Sequence, residues 1–368
     1  QLRRMITDAR RPLPFIDNKR MNVLAESFNR HKDLWMAMKK SHTFNRHVVN
    51  ELSRLSKKLH KPMEQHPLNL VTSQMLPLNT VSYSAKTSTL PQLVRAYNAL
   101  ALRGTYPGGS VYRIRNGKQW TTESAPPQPK SLEYQQILLR EIKTRFGKQK
   151  VYIEPFVDYP IPVSEKSFTG NIPNGTILRF PMSKKILLIG VHWDDPHTDL
   201  DFRADSSAFS LGWNTRLRDT HRTLMYSGDM TRAPAPYGAT EWIYTSSLVE
   251  TFSLKLNLYS GRDFSKHFKL MIGISDNGPN AHKQIPPQDI VASFDVPMTE
   301  RQMNIGLLYP EKESICLMLG VASTGNVNVG RYNKFDAVQQ EVYAKQLQSG
   351  IRLKDVVEIS NTTDGARD

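Results

Sequence analysis

Acidic residues gather between positions 194 and 241 of an otherwise basic chain: Asp194-Asp195, Asp199-Leu200-Asp201, Asp205, Ser227-Gly228-Asp229 and Glu241. In a β-strand, residues two apart point to one side, about 6–7 Å from each other. A strand through Asp199-Leu200-Asp201 therefore presents two carboxylates to the same side. Hard oxygen ligands on loops at sheet ends suit Ca2+, which takes about 6–8 oxygens at about 2.3–2.6 Å. The competing reading is ordinary turn chemistry, because Asp favours turns. His192 and His197, near Asp194 and Asp199, form the one His/Asp cluster of the sequence. An enzyme could use His192 and Asp194 for acid–base chemistry or a transition metal; the sequence favours polar turn groups. The chain has no GxSxG, Walker A, HExxH or post-strand GxGxxG pattern, so an enzyme is not expected.

The opposite charge has its own place. The 368 residues carry 49 Lys+Arg against 34 Asp+Glu, a formal net charge of +15. Residues 1–62 hold 15 basic and 5 acidic side chains, so 15 − 5 gives +10 in one-sixth of the chain. Two helices are predicted here, over 17–40 and 43–61. In the second, Phe44, Val48, Leu52, Leu55 and Leu59 follow one helical stripe, and Pro62 ends it. Arg46, Arg54, Lys57, Lys58 and Lys61 lie off that stripe. They are candidate phosphate contacts, and a solvated helix face is the plainer alternative.

Further elements follow from periodicity. A helix is predicted over 90–103, stopped by Gly104. A hairpin is predicted over 111–121, because Asn116-Gly117 suits a type I′ turn. On it Arg113 and Arg115 share a face. Beside Tyr112 and Trp120 they could contact bases, although aromatic packing is the more common use. A helix over Ser131–Phe146 carries Tyr134, Leu138, Ile142 and Phe146 on one stripe. From about residue 175, short apolar runs alternate with Gly, Pro, Asn and Asp. Strands are expected at 176–180, 186–193, 206–211, 240–244, 253–259, 269–275, 290–296, 302–309 and 314–321, with a closing helix over 335–347. Such strands without intervening helices point to an antiparallel sandwich. The expected fold class is α+β, divided into a basic helical segment (1–66), a small α/β region (67–150), a sandwich (151–332) and a C-terminal helix and tail (333–368).

Several segments in order carry a resemblance. They are VYIEPFVDYPIPV (151–163), Trp193 with DLD after five residues, YSGD (226–229) and APAPYGATEWI (233–243). Together they resemble the C-terminal region of large bacterial TerD-like proteins, of the tellurium-resistance and stress-protein group. The resemblance covers about 150–330, and RIRNGKQW (113–120) with the basic helices extends it upstream. It implies a β-sandwich that binds Ca2+ through carboxylates of these motifs. Asp199 and Asp201 match the DLD pair, Asp229 the SGD carboxylate, and Glu241 the acid that follows. Tyr226 stands where that group often has His, and Ala239-Thr240 replace its further acids.

These observations favour a non-enzymatic binding or scaffold protein of the TerD-like stress-response type. It would carry a Ca2+ site and a basic arm for a polyanion such as RNA, with other protein chains as partners. The alternative is an RNA-associated assembly component, ribosome-associated or coat-like. No apolar run approaches the roughly 18 residues of a membrane span. The single cysteine, Cys316, excludes an intrachain disulfide. The expected place is the cytoplasm, or a reducing organelle interior if Gln1 marks a processing site.

Overall fold

The computed structural model describes residues 23–26, 28, 31–32, 35, 46–59, 66–105, 110–115, 118–123, 128–148, 150–164, 167–182, 185–213, 223–261, 267–298, 300–319 and 346–360. The chain divides into two compact units, Gln1–His66 and Pro67–Asp368. In the first, helix α1 (Arg46–Leu59) buries Val49, Leu52 and Ser56. Leu55 is half-buried, and the other stripe positions expected here (Phe44, Val48, Leu59) lie outside the described side chains. Most of the expected 17–40 helix is likewise outside.

The second unit begins with helices α2 (Pro67–Leu70), α3 (Leu78–Thr87) and α4 (Leu90–Thr105). A hairpin of β1 (Ser110–Arg115) and β2 (Lys118–Glu123) follows, then α5 (Ser131–Phe146). The predicted stripe of α5 forms the helical core. Tyr134, Leu138 and Ile142 are fully buried against Val81, Ala85, Leu93 and Leu100. The Tyr134 hydroxyl donates to Leu76 O (2.7 Å) and accepts from Leu76 N (2.8 Å), so burial leaves it satisfied. Gly147, at φ 66°, ends α5 in a conformation that favours glycine.

The remaining strands are β3 (Lys150–Tyr152), β4 (Val157–Asp158), β5 (Phe168–Thr169), β6 (Ile172–Pro173), β7 (Ile177–Pro181), β8 (Ile186–Trp193), β9 (Asp199–Asp205), β10 (Ser210–Gly212), β11 (Leu224–Tyr226), β12 (Ala239–Thr245), β13 (Phe252–Ser260), β14 (His267–Ser275), β15 (Ile290–Pro297), β16 (Gln302–Glu311), β17 (Ser314–Leu319) and β18 (Glu358–Ser360). Twelve of them make an antiparallel sandwich. One sheet runs β10-β9-β13-β16-β17-β7-β4 and the other β11-β12-β8-β14-β15. The fold is therefore α+β, with the sandwich following a helical region. Leu200, Phe202 and Ala204 of β9, Leu254 and Leu256 of β13, Ile189 and Val191 of β8, and Leu270 and Ile272 of β14 join one apolar cluster between the sheets. Burying each large side chain contributes about 1.5–3 kcal/mol.

Two details fix the register of the sheet carrying β12. Trp242 lies opposite Gly190 on β8, where an added Cβ would come within 2.5 Å of the indole. Only glycine leaves the ring room. The Trp242 Nε1–H donates to Lys283 O (2.7 Å), which ties the 280–284 loop to the sheet.

Among the departures from the expected elements are strand β9 and the C-terminal segment. The expected strand at 206–211 is instead β9 over 199–205 followed by a tight turn. Ser206 Oγ accepts the N–H groups of Ala208 and Phe209, and β10 begins only at Ser210. The C-terminal segment also joins both parts of its unit. Ile351 and Val356 enter the helical core. The Ile351 N–H donates to Asn98 Oδ1 (2.9 Å), and β18 pairs in parallel with β3. Arg352 reaches the sandwich, donating to Asp158 Oδ1 (3.0 Å) and Gly175 O (3.0 Å). Of the expected 335–347 helix, only its last two residues are described, and they are helical. Among the described residues no helix is long and apolar enough to cross a membrane.

Candidate metal centre

Strand β9 alternates strictly. Leu200, Phe202 and Ala204 fill the inter-sheet core, so Asp199, Asp201, Arg203 and Asp205 share the opposite face. The third acid arrives from the loop after β11. The Ser227 N–H donates to Trp242 O (2.9 Å), and the Trp242 N–H donates to Ser227 Oγ (3.0 Å). Gly228, at φ 96°, then turns the chain and presents Asp229. One oxygen from each of Asp199, Asp201 and Asp229 lies within 4.8 Å of the others. Opposite ligands of a Ca2+ ion stand about 5 Å apart. This is the one such group of His, Cys, Asp or Glu side chains among the described residues.

The group is partly starved of partners. Asp201 Oδ2 accepts from Asn257 Nδ2 (2.6 Å) across the β9–β13 pair. Asp199 is 6% exposed, and its Oδ1 is buried with no hydrogen-bond partner. Asp229 is exposed. Burial, reinforced by the Asp229 charge, pushes Asp199 up to about 6. Asp201 is also pushed up to about 6. Burial is the main cause and the charges of Asp199 and Asp229 add to it, against the Asn257 hydrogen bond. Three carboxylates without thiolate or imidazole form a hard-oxygen donor set, which fits Ca2+ or Mg2+ rather than a soft transition metal.

Glu241, expected with these ligands, is placed elsewhere. On β12 it shares a side with Ala239 and Ile243, so it points between the sheets and is fully buried. Its Oε2 accepts the Phe202 N–H (2.8 Å) and its Oε1 the Met230 N–H (2.9 Å). Burial pushes it up to about 8, against its bonds with those amides and its interaction with Tyr226. The Tyr226 hydroxyl is buried without a partner of hydrogen-bonding geometry, and burial followed by the Glu241 charge raises its pKa. Lys283 Nζ donates to Gly228 O (2.7 Å) and to Asp229 O. Burial lowers its pKa, opposed by the charges of Glu241 and Asp229. Sequence reading missed Asn257, Tyr226 and Lys283. Only Tyr226 carried a signal, as the residue before SGD.

His192, Asp194 and His197 do not join this group. His192 Nδ1 pairs with Thr240 Oγ1 (2.9 Å), and burial lowers its pKa. His197 and Asp194 are exposed. Arg54 is exposed and donates to Glu51 (2.9 Å) on its own helix. The side chains of Arg46, Lys57, Lys58, Arg113 and Arg115, and all of Lys61, lie outside the described residues.

No protein-family model matches the chain, and no curated protein matches it. Among solved structures, the crystal structure of a protein of unknown function, SAV2460, is similar at a TM-score of 0.29 and 13% identity. The match covers 45% of this chain and 98% of that one.

Proposed function

We propose that this chain is a non-enzymatic binding protein whose sandwich holds one divalent cation, Ca2+ fitting best, at Asp199, Asp201 and Asp229. The observation that carries the reading is the buried, unpartnered Asp199 oxygen inside a group of three carboxylates. An anionic oxygen without hydrogen bond or solvent is costly, and a cation offsets that cost. The ordered DLD, SGD and GATE segments support a TerD-like scaffold of the stress-response kind. Three carboxylates leave most of a Ca2+ shell to water, which points to the weaker end of known sites, a Kd of about 10⁻⁴–10⁻³ M. Calorimetric titration at millimolar Ca2+ is expected to show binding to the wild type, reduced at least tenfold in Asp199→Asn. Absence of heat in the wild type ends the proposal.

A second reading rests on a different observation, the ten units of positive charge in residues 1–62. In it the chain is an RNA-associated assembly component, with the arm tracking phosphates. Each neutralised phosphate adds about −0.7 to the slope of log K against log salt on single strands. Changing Lys57, Lys58 and Lys61 to Gln in the full chain is then expected to flatten that slope by about 2 for single-stranded RNA. An unchanged slope removes the arm from the binding surface.

A further inference from the structure

Glu241 touches both segments that carry the acidic triad. Its Oε2 holds the N–H of Phe202, the residue after Asp201; its Oε1 holds the N–H of Met230, the residue after Asp229. Each of these amides depends on it. Strand β10 ends at Gly212, opposite Arg203, so the Phe202 N–H on that edge has passed the last strand partner. Met230 lies in a loop. The turn is gripped from its other side as well, because Lys283 Nζ occupies the carbonyls of Gly228 and Asp229. Those carbonyls are therefore engaged before any cation arrives.

Resting on the cation-site reading above, we propose that Glu241 is a positioning residue and not a ligand. Its carboxyl group clamps the DLD strand to the SGD turn at the separation that brings the three aspartates together. Both oxygens of Glu241 accept from backbone amides, and its side chain enters between the sheets while Asp199 and Asp201 leave β9 on the opposite face. To ligate the cation it would have to turn out of the inter-sheet space, away from the two amides that hold the ligand-bearing segments in register. The site is thus built before it is filled, and cation binding orders little backbone.

The test follows two amides in the wild-type chain. At saturating Ca2+ the N–H groups of Phe202 and Met230 are expected to keep their protection from hydrogen exchange. Exchange accelerated tenfold or more by Ca2+ means that Glu241 has turned to the metal and overturns the proposal. Glu241→Gln gives a second measurement. An amide has one acceptor oxygen, so one of the two N–H groups is left facing a donor. The Ca2+ Kd is expected to rise at least tenfold, while Tb3+ bound at saturation keeps the wild-type number of coordinated waters in its luminescence lifetimes. An unchanged Kd, or one additional water, overturns the proposal. Should Glu241→Gln fail to fold, the wild-type exchange data decide alone. A wild type that binds neither Ca2+ nor Tb3+ removes the cation reading itself; binding accompanied by any overturning result removes only the role of Glu241.

Discussion

Asp205→Ala is expected to destabilise the sandwich by about 3–5 kcal/mol, a large part of the roughly 5–15 kcal/mol that holds a domain folded. Asp205, Arg203 and Lys255 are all essentially inaccessible. Arg203 Nε stands 2.8 Å from Asp205 Oδ1 and Lys255 Nζ 2.9 Å from Oδ2. Ser210 Oγ also donates to that carboxylate. The strand register explains why one acid must serve two cations. Lys255 lies directly opposite Arg203 across the β13–β9 pair, and like charges in that relation repel. Asp205, two residues along the same face of β9, supplies the carboxylate both of them share. Removing it takes the shared carboxylate from between two buried cations. Asp205→Asn keeps the size and one acceptor but not the charge, so most of the loss is expected to remain. Urea unfolding checks this, as a fall in midpoint at unchanged m-value. Glu313→Gln, at an exposed site, should stay within about 0.5 kcal/mol of wild type. A loss below about 1 kcal/mol in Asp205→Ala would show that the carboxylate is not what balances these charges.

The same strand shows what a sequence does and does not disclose. Strands such as β8 and β16 are legible because apolar runs bounded by turn residues need no distant partner to be recognised. The α5 stripe is legible because Tyr134, Leu138 and Ile142 repeat at helical spacing and all three are buried. The pairing of Asp199 with Asp201 follows from the two-residue period. In contrast, β9 as a whole reads as a polar, turn-like stretch. Its outward face is Asp, Asp, Arg, Asp, and those charges are met in burial by residues on other strands, among them Lys255 and Asn257 on β13 and Ser210 on β10. Glu241 illustrates a different limit. In sequence it is one more acid after SGD, but its face is set by the register of β12 on β8, where it stands opposite Val191 inside the sandwich. Lys283 lies 54 residues from Asp229, and Arg352 194 residues from Asp158. No local pattern announces contacts of that length.

In metal-free buffer, Asp199→Asn is expected to be more stable than wild type at neutral pH, and its advantage to grow as the pH rises from about 4.5 to 7.5. Asp199 and Asp201 are raised from 3.8 to about 6, and Glu241 from 4.5 to about 8. A carboxyl group whose folded pKa exceeds its unfolded value binds more protons when folded. Stability is then highest at low pH and falls as the pH climbs from the unfolded value toward the folded one. The two aspartates act between about 4 and 6, and Glu241 up to about 8. At 1.36 kcal/mol per unit, Asp199 alone is worth roughly 3 kcal/mol. Other groups move the raw curve: His192, lowered by burial, gives a stability that increases with pH through its unfolded value near 6.5. Asp158, lowered despite burial by its bonds to Lys354, Arg352 and Arg179, matters below about 4. Both are common to the two proteins, so the difference between wild type and variant isolates the acidic group. Calcium then narrows that interval. A ligand at ten times the wild-type Kd adds about 1.4 kcal/mol to the wild type and, bound tenfold more weakly, only about 0.4 kcal/mol to the variant. Thermal unfolding at pH 4.5, 6 and 7.5, in chelator and in millimolar Ca2+, reads all of this. If the wild type and Asp199→Asn stay a constant interval apart across that range in chelator, burial and the Asp229 charge do not raise Asp199.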